Sequence, residues 1–147
     1  MRNFSLVSRM NGKGLLPERS TKNSMAYDFY SPIDFEVKPK EMYMLKTGIK
    51  AYMEEDEGLI MNVRSSMGKK KIMFANTQPW IDHDFCDNPD NEGEIGLLFY
   101  NYGDETWSVK AGERVAQGCF IKYGITVDDN ATRERTGGWG STNAKNT

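Results

Sequence analysis

The longest apolar run of the chain reads Ile95-Gly-Leu-Leu-Phe-Tyr100. It is too short for a helix that buries a full apolar stripe, and such runs are typical of strands in a protein core. It is also far shorter than the roughly 20 residues that a helix needs to cross a bilayer. The run therefore predicts a core strand, and we expect neither a membrane-spanning helix nor a membrane partner.

Four further segments share this character, because each is rich in β-branched, aromatic and Met residues and is bounded by Gly, Asp or Asn. They cover residues 42–52, 59–63, 107–110 and 115–122. A helical turn fits only around residues 66–70. The sequence therefore predicts an all-β fold, a jelly-roll-like barrel of short strands with at most one short helix.

Length and composition set the class of protein. The 147 residues, 38% hydrophobic and 27% charged, suit one globular domain with a single core. The 19 basic and 21 acidic side chains leave a net charge of −2. Because no basic surplus is available to displace counterions from a phosphate backbone, we expect no nucleic-acid partner.

The beginning of the chain and its cysteines bear on location. The apolar part of the first ten residues is too short for a signal peptide, and Arg9 interrupts it. Cys86 and Cys119 are interpreted as free thiols, which suit a reducing compartment. We therefore expect a cytoplasmic protein.

The C-terminal segment is polar and Gly-rich, yet it carries Arg133, Arg135 and Trp139. Two interpretations remain open. It is a disordered end, or it is an arm whose Gly-Gly-x-Gly amides wrap an anion while Trp139 stacks on a nucleobase. We divide the chain into a β-barrel domain, residues 1–132, and a flexible C-terminal arm, residues 133–147.

Three short patterns suggest chemistry, although each is weak alone. Arg64-Ser65-Ser66 offers a guanidinium and two hydroxyls at the end of a predicted strand, which suits an anion but is also a common surface tripeptide. Asp82 and Asp84 flank the single histidine, His83, as a divalent-cation pair or a polar hairpin. Tyr27-Asp28 is the third pattern, and it is equally compatible with an ordinary strand start that has an Asp in a turn.

In chain order, five segments resemble the five motifs of the trimeric deoxyuridine triphosphatase (dUTPase) family. The resemblance runs from about Leu16 to Thr142, nearly the whole chain. The segments read Ser24-Met-Ala-Tyr-Asp-Phe-Tyr-Ser31, Arg64-Ser-Ser-Met-Gly-Lys-Lys70, Asn76-Thr-Gln-Pro-Trp-Ile-Asp-His-Asp-Phe85 resuming at Gly93-Glu-Ile95, Gly112-Glu-Arg-Val-Ala-Gln117, and Arg135-Thr-Gly-Gly-Trp-Gly-Ser-Thr142.

The resemblance implies an enzyme, a homotrimer with active sites shared between subunits. It would hydrolyse dUTP to dUMP and pyrophosphate, which keeps uracil out of DNA and supplies dUMP. Asp82 falls where the family has its water-activating carboxylate, the general base. Asp28 falls where the family holds the hydration shell of Mg²⁺, an ion that binds mainly phosphate oxygens and water.

The resemblance also implies a set of substrate-binding residues. Some clamp the phosphates, some face the nucleoside, and those of the arm close over the bound nucleotide and exclude water. The set comprises Arg64, Ser65, Ser66, Asn76, Phe85, Ile95, Gln117, Arg135, Trp139, Gly140, Ser141 and Thr142.

The chain departs from the family pattern at four places. Phe85 stands where a Tyr that packs on deoxyribose is common, and Pro79 replaces a customary Gly. Residues 86–92 are inserted into the third motif, as a solvated loop or as a Ca²⁺ site built from Asp87, Asp90 and Glu92. The fifth motif is one residue shorter than usual between arginine and aromatic, which leaves Arg133 a rival to Arg135.

Two other functions are alternatives. The dCTP deaminase branch shares the Arg-Ser-Ser tripeptide, but it needs a glutamate as acid and base where this chain has Leu98. A catalytically silent nucleotide-binding or regulatory protein has less need of both Asp28 and Asp82. We therefore expect a dUTP diphosphatase.

Overall fold

A computed structural model of the chain describes residues 1–142. Within this range the chain forms eleven strands, one α-helix and two 3₁₀ turns. The strands are β1 (Asn3–Leu6), β2 (Tyr27–Tyr30), β3 (Phe35–Val37), β4 (Met42–Lys46), β5 (Ile49–Tyr52), β6 (Glu57–Asn62), β7 (Ile72–Phe74), β8 (Trp80–Asp82), β9 (Gly96–Asn101), β10 (Trp107–Val109) and β11 (Arg114–Lys122), and the helix is α1 (Ser65–Lys69). The all-β prediction with one short helix is confirmed. Residues 143–147, the end of the predicted arm, lie outside the described range.

The predicted strand segments all contain strands, with one difference. The segment 42–52 is divided into β4 and β5 by a turn at Gly48, whose φ of 75° lies in the left-handed region that favours glycine. Strands β1, β2, β3, β7 and β8 are three or four residues long. Such short strands show too little alternation for a sequence pattern to single them out.

The strands pair antiparallel in four sheets, in the orders β2-β11-β6-β8, β4-β9-β7, β1-β5 and β10-β3. Alternation along β6 and β9 sends every second side chain into the core, where Leu59, Met61, Leu97 and Phe99 are fully buried. One hydrophobic cluster includes residues of all four sheets. The sheets therefore pack around a single core in the manner of a jelly roll.

Aromatic rings fill much of this core. The Phe35 ring stacks on Tyr43 at a centroid distance of 4.6 Å, and Trp107 meets Phe99 edge-on at 5.1 Å. Such pairs contribute about 0.5–1.5 kcal/mol beyond the burial of their area. The core therefore supports the four-stranded sheet from its inner face. The outer face of that sheet carries polar side chains.

The end of β11 and the segment that follows it expose apolar side chains. Ile121, Tyr123 and Ile125 alternate along this extended segment, and Val127 follows them. No helix within residues 1–142 has the length and apolar character required to cross a bilayer.

Candidate active site

A cavity of about 220 Å³ lies between the β7–β8 turn, the 3₁₀ turn His83–Phe85 and the arm. We call it the hairpin cavity. It is lined by Asn76, Pro79, Trp80, Ile81, Asp82, Phe85, Gly96, Arg135, Gly138 and Trp139. The structure thus brings together five of the residues that the sequence singled out, which are Asn76, Asp82, Phe85, Arg135 and Trp139.

Strand β8 positions Asp82. Its residues alternate, so Trp80 and Asp82 lie on the exposed face while Ile81 packs against the core. The 3₁₀ turn that follows is anchored by His83, whose Nδ1 lies 2.8 Å from the Met53 carbonyl oxygen. This anchor fixes the backbone beside Asp82. The His83 ring itself does not line the cavity.

The β7–β8 turn presents Asn76 at the cavity rim. Thr77 adopts a left-handed φ of 65°, and the Gln78 amide donates to the Asn76 carbonyl over 2.8 Å. This tight turn leaves the Asn76 side chain exposed. Phe85, which is buried, closes the opposite wall.

Arg135 connects the arm to the acidic end of β8. Its Nη2 donates to Asp82 Oδ2 and its Nε to Asp84 Oδ1, each over 2.7 Å. Its Nη1 donates to the Gly137 carbonyl over 3.0 Å, and the Arg135 side chain is only 15% exposed. The guanidinium fork therefore pairs with both aspartates, although its single positive charge balances only one of them. The rival residue, Arg133, lines a neighbouring cleft instead.

The arm turns over the cavity at Trp139. Its φ of 49° is left-handed, and Gly140 follows with a φ of 104°. The indole packs on Gly96, where an added Cβ would lie 3.4 Å from Trp139 Cζ2. Ser141 and Thr142 follow the turn as exposed residues, so the structure places these two predicted ligands outside the cavity lining.

A second group of predicted residues lies around Asp28 on β2. This carboxylate is 8% exposed and lies between two arginines, with Oδ1 3.4 Å from Arg64 Nε and Oδ2 3.3 Å from Arg114 Nε. These distances exceed those of close charge-assisted hydrogen bonds, so the contacts are loose ion pairs. A β-bulge between Arg114 and Ala116 accompanies this arrangement.

The two arginines border an open cleft of about 470 Å³. We call it the arginine cleft. It is lined by Tyr30, Arg64, Ser66, Met67, Lys70, Trp107, Gly112, Glu113 and Arg114. Three cations with one carboxylate, Glu113, among the lining residues suit an anionic ligand. Ser65 is exposed at the start of α1 beside Arg64.

Gln117 lies between Asp28 and Asn62 in the ladders of β11, and its Nε2 donates to the Val63 carbonyl over 3.4 Å. Asn62 Oδ1 in turn accepts from Gln78 Nε2 over 3.3 Å. A polar row therefore crosses the outer face of the four-stranded sheet, from the arginine cleft to the foot of β8.

Within one chain, the residues around Asp82 lie far from the residues around Asp28. Strands β2 and β8 lie at opposite edges of their sheet, and Asp82 follows the polar row by four residues along the strand direction. With strand spacings near 4.8 Å and about 3.3 Å per residue, Asp28 and Asp82 are roughly 20 Å apart. The hairpin cavity and the arginine cleft share no lining residue.

The structure does not place Ile95 at either site. Ile95 is fully buried. Its amide donates to the Ile49 carbonyl over 2.9 Å, and its carbonyl accepts from the Thr47 amide and hydroxyl over 3.1 and 2.7 Å. Its polar backbone groups are thus engaged within the chain, and the adjacent Gly96 lines the cavity instead.

Sequence reasoning assigned no role to Trp80 or Arg114. Trp80 is 70% exposed at the hairpin cavity, and its indole nitrogen donates to Gln78 Oε1 over 3.2 Å. The alternation of Trp-Ile-Asp in a strand is a signal that could have placed it on the face of Asp82. Arg114 lies within the fourth motif segment, but a bulge sets its position, so no local pattern predicts that it pairs with Asp28.

Within the inserted residues 86–92, two of the three carboxylates that the sequence suggested as Ca²⁺ ligands pair with a lysine instead. Buried Lys50 contacts Asp87 Oδ1 and Glu92 Oε1 through its Nζ at 2.6 and 3.0 Å. Both carboxylates are therefore engaged with a cation of the chain itself. No group of three or more potential metal ligands of the His, Cys, Asp and Glu types occurs within residues 1–142.

Comparisons with known proteins identify the family. A family model described as dUTPase matches residues 13–143. The chain is 39% identical over 148 aligned positions to a deoxyuridine 5'-triphosphate nucleotidohydrolase of Lactococcus lactis subsp. lactis, covering 98% of this chain and 99% of that protein. It is similar to the crystal structure of the Streptococcus mutans dUTPase with a TM-score of 0.77 and 35% identity, covering 86% of this chain and 98% of that one.

A dUTPase of Staphylococcus bacteriophage 80alpha shares the fold alone, with a TM-score of 0.72 at 16% identity and coverage of 90% of this chain and 97% of that one. The family match extends over almost the entire chain and includes all five motif segments. The chain therefore belongs to the dUTPase family.

Proposed function

We propose that the chain is a dUTP diphosphatase that hydrolyses dUTP to dUMP and pyrophosphate. The observation that carries this proposal is the position of Asp82, an exposed carboxylate on the rim of a cavity lined by two indoles and an arginine. The L. lactis relative is named for the same reaction. Family membership agrees with a pyrimidine nucleotide as substrate.

The chemistry follows from the charge on Asp82. The carboxylate accepts a proton from a water molecule, whose oxygen forms a bond to the α-phosphorus. The bond from the α-phosphorus to its bridging oxygen breaks, and pyrophosphate leaves with that oxygen. In the free chain Asp82 is paired with Arg135, so Arg135 must transfer to the outer phosphate before Asp82 can serve as the base.

The remaining arm and hairpin residues hold the nucleoside. Asn76 faces the pyrimidine from the turn, Phe85 packs on the deoxyribose, and the Trp139 ring covers the base. Gly140 permits the turn that follows Trp139, and Ser141 and Thr142 supply hydroxyl donors to the outer phosphate once the arm closes. This closure excludes water other than the nucleophile.

The arginine cleft binds the triphosphate. Arg64, Ser65, Ser66 and Gln117 are the proposed phosphate ligands, because a guanidinium, hydroxyls and an amide are the donors that phosphate oxygens accept. Arg114 adds a second guanidinium at the same place.

The donor set fits Mg²⁺ that arrives with the nucleotide. Both oxygens of Asp28 face arginines, and residues 1–142 build no cage of acidic or histidine ligands. Mg²⁺ keeps several waters and binds triphosphate oxygens, so Asp28 would contact its hydration shell. The ion would neutralise phosphate charge during the reaction.

We further propose a homotrimer whose active sites are shared between subunits. One chain holds Asp82 roughly 20 Å from Asp28, a separation that follows from strand spacing and rise. Asp82 must act beside the α-phosphorus while the arginine cleft holds the phosphates of the same nucleotide, so a second copy would bring its arginine cleft to the hairpin cavity. The exposed apolar residues at the end of β11 and after it, which are Ile121, Tyr123, Ile125 and Val127, offer surface for such contacts.

The cellular role follows from the reaction, and the cysteines bear on the location. Removal of dUTP keeps uracil out of DNA, and the product dUMP is a nucleotide precursor. Both cysteines, Cys86 and Cys119, are free thiols, which supports a cytoplasmic location.

Release of pyrophosphate tests the activity. Purified protein with Mg²⁺ is assayed with dUTP, dCTP, dTTP and UTP, and dUTP should be strongly preferred. Release of ammonia from dCTP would instead support the deaminase branch, although Leu98 offers no proton to shuttle. Nucleotide binding with no product at all would identify a silent binding protein and overturn the proposal.

Complementation tests the shared site. Asp82→Asn and Arg64→Ala chains, each inactive alone, are coexpressed so that mixed trimers form. If Asp82 and Arg64 of one site come from different copies, roughly a quarter of the sites recover both residues. Activity that stays at the level of the single variants, or a monomer in light scattering, would contradict the assembly.

A further inference from the structure

The inserted loop, residues 86–92, is tightly held by its own side chains. Asn88 is buried, and its Nδ2 donates to the Phe85 carbonyl and to Asn91 Oδ1, each over 2.7 Å. Its Oδ1 accepts from the amides of Asp90 and Asn91 over 3.0 and 3.1 Å. The buried Asn88 side chain therefore links the residue before the loop, Phe85, to Asp90 and Asn91 within it.

The base of the loop is anchored to the barrel and to the N-terminal segment. Lys50 on β5 contacts Asp87 and Glu92. The Ser8 hydroxyl and amide donate to Glu92 over 2.8 and 3.0 Å. At Gly93, with a φ of 81°, an added Cβ would lie 2.5 Å from Cys86 Cα, so the two ends of the loop pack against each other. The loop is thus a rigid projection beside the hairpin cavity.

Arm residues 135–138 contact this projection and the turn before it. Arg135 pairs with Asp84, and Gly138 packs so closely on the Phe85 ring that an added Cβ would lie 2.4 Å from Cε1. Gly137 is buried against Asp90, where an added Cβ would lie 3.1 Å from the Asp90 Cβ and 3.2 Å from Oδ2. The loop contributes the Asp90 side chain to this contact, and the arm contributes only the backbone of Gly137, which has no side chain.

We propose that the inserted loop is a docking surface for the arm, occupied by residues 135–138, and that Asp90 is its contact point. The docked arm holds Arg135 and Trp139 at the hairpin cavity before a nucleotide arrives. The effect on dUTP affinity rests on the proposed function, whereas docking itself does not. Because an arm that is already ordered loses less entropy on binding, docking lowers KM without taking part in the chemical step.

Limited proteolysis in the absence of nucleotide tests docking. Trypsin cleaves after Arg133, and mass spectrometry identifies the released C-terminal fragment, so the rate reports how often the arm opens. Gly137→Val places a branched side chain against Asp90 and should accelerate this cleavage by about tenfold. Thr136→Val, which alters the exposed neighbouring residue, is the matched control and should leave the rate unchanged.

Rescue tests the contact itself. Asp90→Gly in the Gly137→Val chain clears space for the valine, so the cleavage rate should return to within about twofold of the parent. KM for dUTP should rise severalfold in Gly137→Val with kcat retained, and it should fall again in the double variant. Gly137→Ala is a milder second variant and should shift both quantities in the same direction.

The outcomes separate the two proposals. Unchanged cleavage in Gly137→Val, or failure of Asp90→Gly to restore the parent rate, would overturn docking on the loop. If cleavage behaves as expected and no variant hydrolyses dUTP, docking stands and the proposed activity is wrong.

Discussion

Arg135 of the arm donates from Nη2 to Oδ2 of Asp82 over 2.7 Å in the free chain. Arg135, which is proposed to bind the outer phosphate, is therefore paired with Asp82, which is proposed to activate water. Asp82 is 65% exposed, so the pair is one that solvent and salt weaken. A triphosphate carries more charge than one carboxylate and can draw Arg135 away, which couples arrival of the substrate to release of the base.

Asp82→Asn should abolish turnover while nucleotide binding persists. The amide has the same shape but cannot accept the proton of water, and loss of a general base lowers kcat by about 10²–10⁴-fold. Pyrophosphate release and calorimetric binding of dUMP measure the two effects. Asp84→Asn is the control, because Asp84 contacts Arg135 without lining the cavity. Equal kcat values for Asp82→Asn and the parent would refute the mechanism.

Arg135→Gln should raise KM for dUTP by about 10–100-fold, because charged hydrogen bonds contribute about 1.5–3 kcal/mol. Arg133→Gln is the matched control within the same arm and should raise KM far less, since Arg133 does not line the hairpin cavity. Steady-state kinetics at saturating Mg²⁺ measures both. The reverse order of effects would assign the phosphate contact to Arg133.

Trp139→Ala should weaken dUTP binding by about 10-fold or more, because stacking of a base on an aromatic ring is worth about 1–3 kcal/mol. Trp139→Phe keeps a flat face and should lose less. Binding should also quench the indole fluorescence of the parent, since Trp80 and Trp139 line the cavity, whereas Trp107 borders the arginine cleft with only 8% of its surface exposed. Quenching that survives fully in Trp139→Phe would assign the signal to Trp80.

Acid should release the inserted loop only when the pH approaches about 2. Hydrogen bonds from the Ser8 hydroxyl and amide, and then Lys50, lower the pKa of Glu92 to about 2 from its ordinary 4.5. A lowered pKa stabilises the fold above pH 4.5, and the contribution disappears as the pH falls through about 2. The thermal midpoint of Glu92→Gln should therefore lie below that of the parent at pH 7 and converge with it near pH 2.

Glu36→Gln is the control for that series, because Glu36 lies on the exposed face of β3. Its midpoint should follow the parent at every pH. A constant difference between Glu92→Gln and the parent across the whole pH range would show that ionisation of Glu92 does not stabilise the loop.

Removal of Mg²⁺ should stop turnover without unfolding the free chain. Residues 1–142 offer no acidic cage, and Asp28 is already neutralised by Arg64 and Arg114. A chelator should thus abolish pyrophosphate release and leave the thermal midpoint of the nucleotide-free protein unchanged. A chelator-induced drop in that midpoint would reveal a structural metal site instead.

Short apolar runs and turn residues were enough to predict the fold class and most of the long strands. Alternation of buried and exposed side chains is a local property, so segments such as β6 and β9 can be read along the chain. The five motif segments likewise indicated the family. Ile95, which was predicted to bind substrate, is fully buried, and the contacts of its backbone with Ile49 and Thr47 could not be predicted because they join segments that are distant in sequence.

The linear sequence by itself determined which residue types are available for the chemistry, since carboxylates, arginines and the arm aromatic are present in a fixed order. Only the tertiary structure decided which of them meet. Asp82 pairs with Arg135, Asp90 faces Gly137, and Asp28 lies far from Asp82. The physical reason is that hydrogen-bond register and sheet order set distances between strands, and these are properties of the folded core rather than of any one segment.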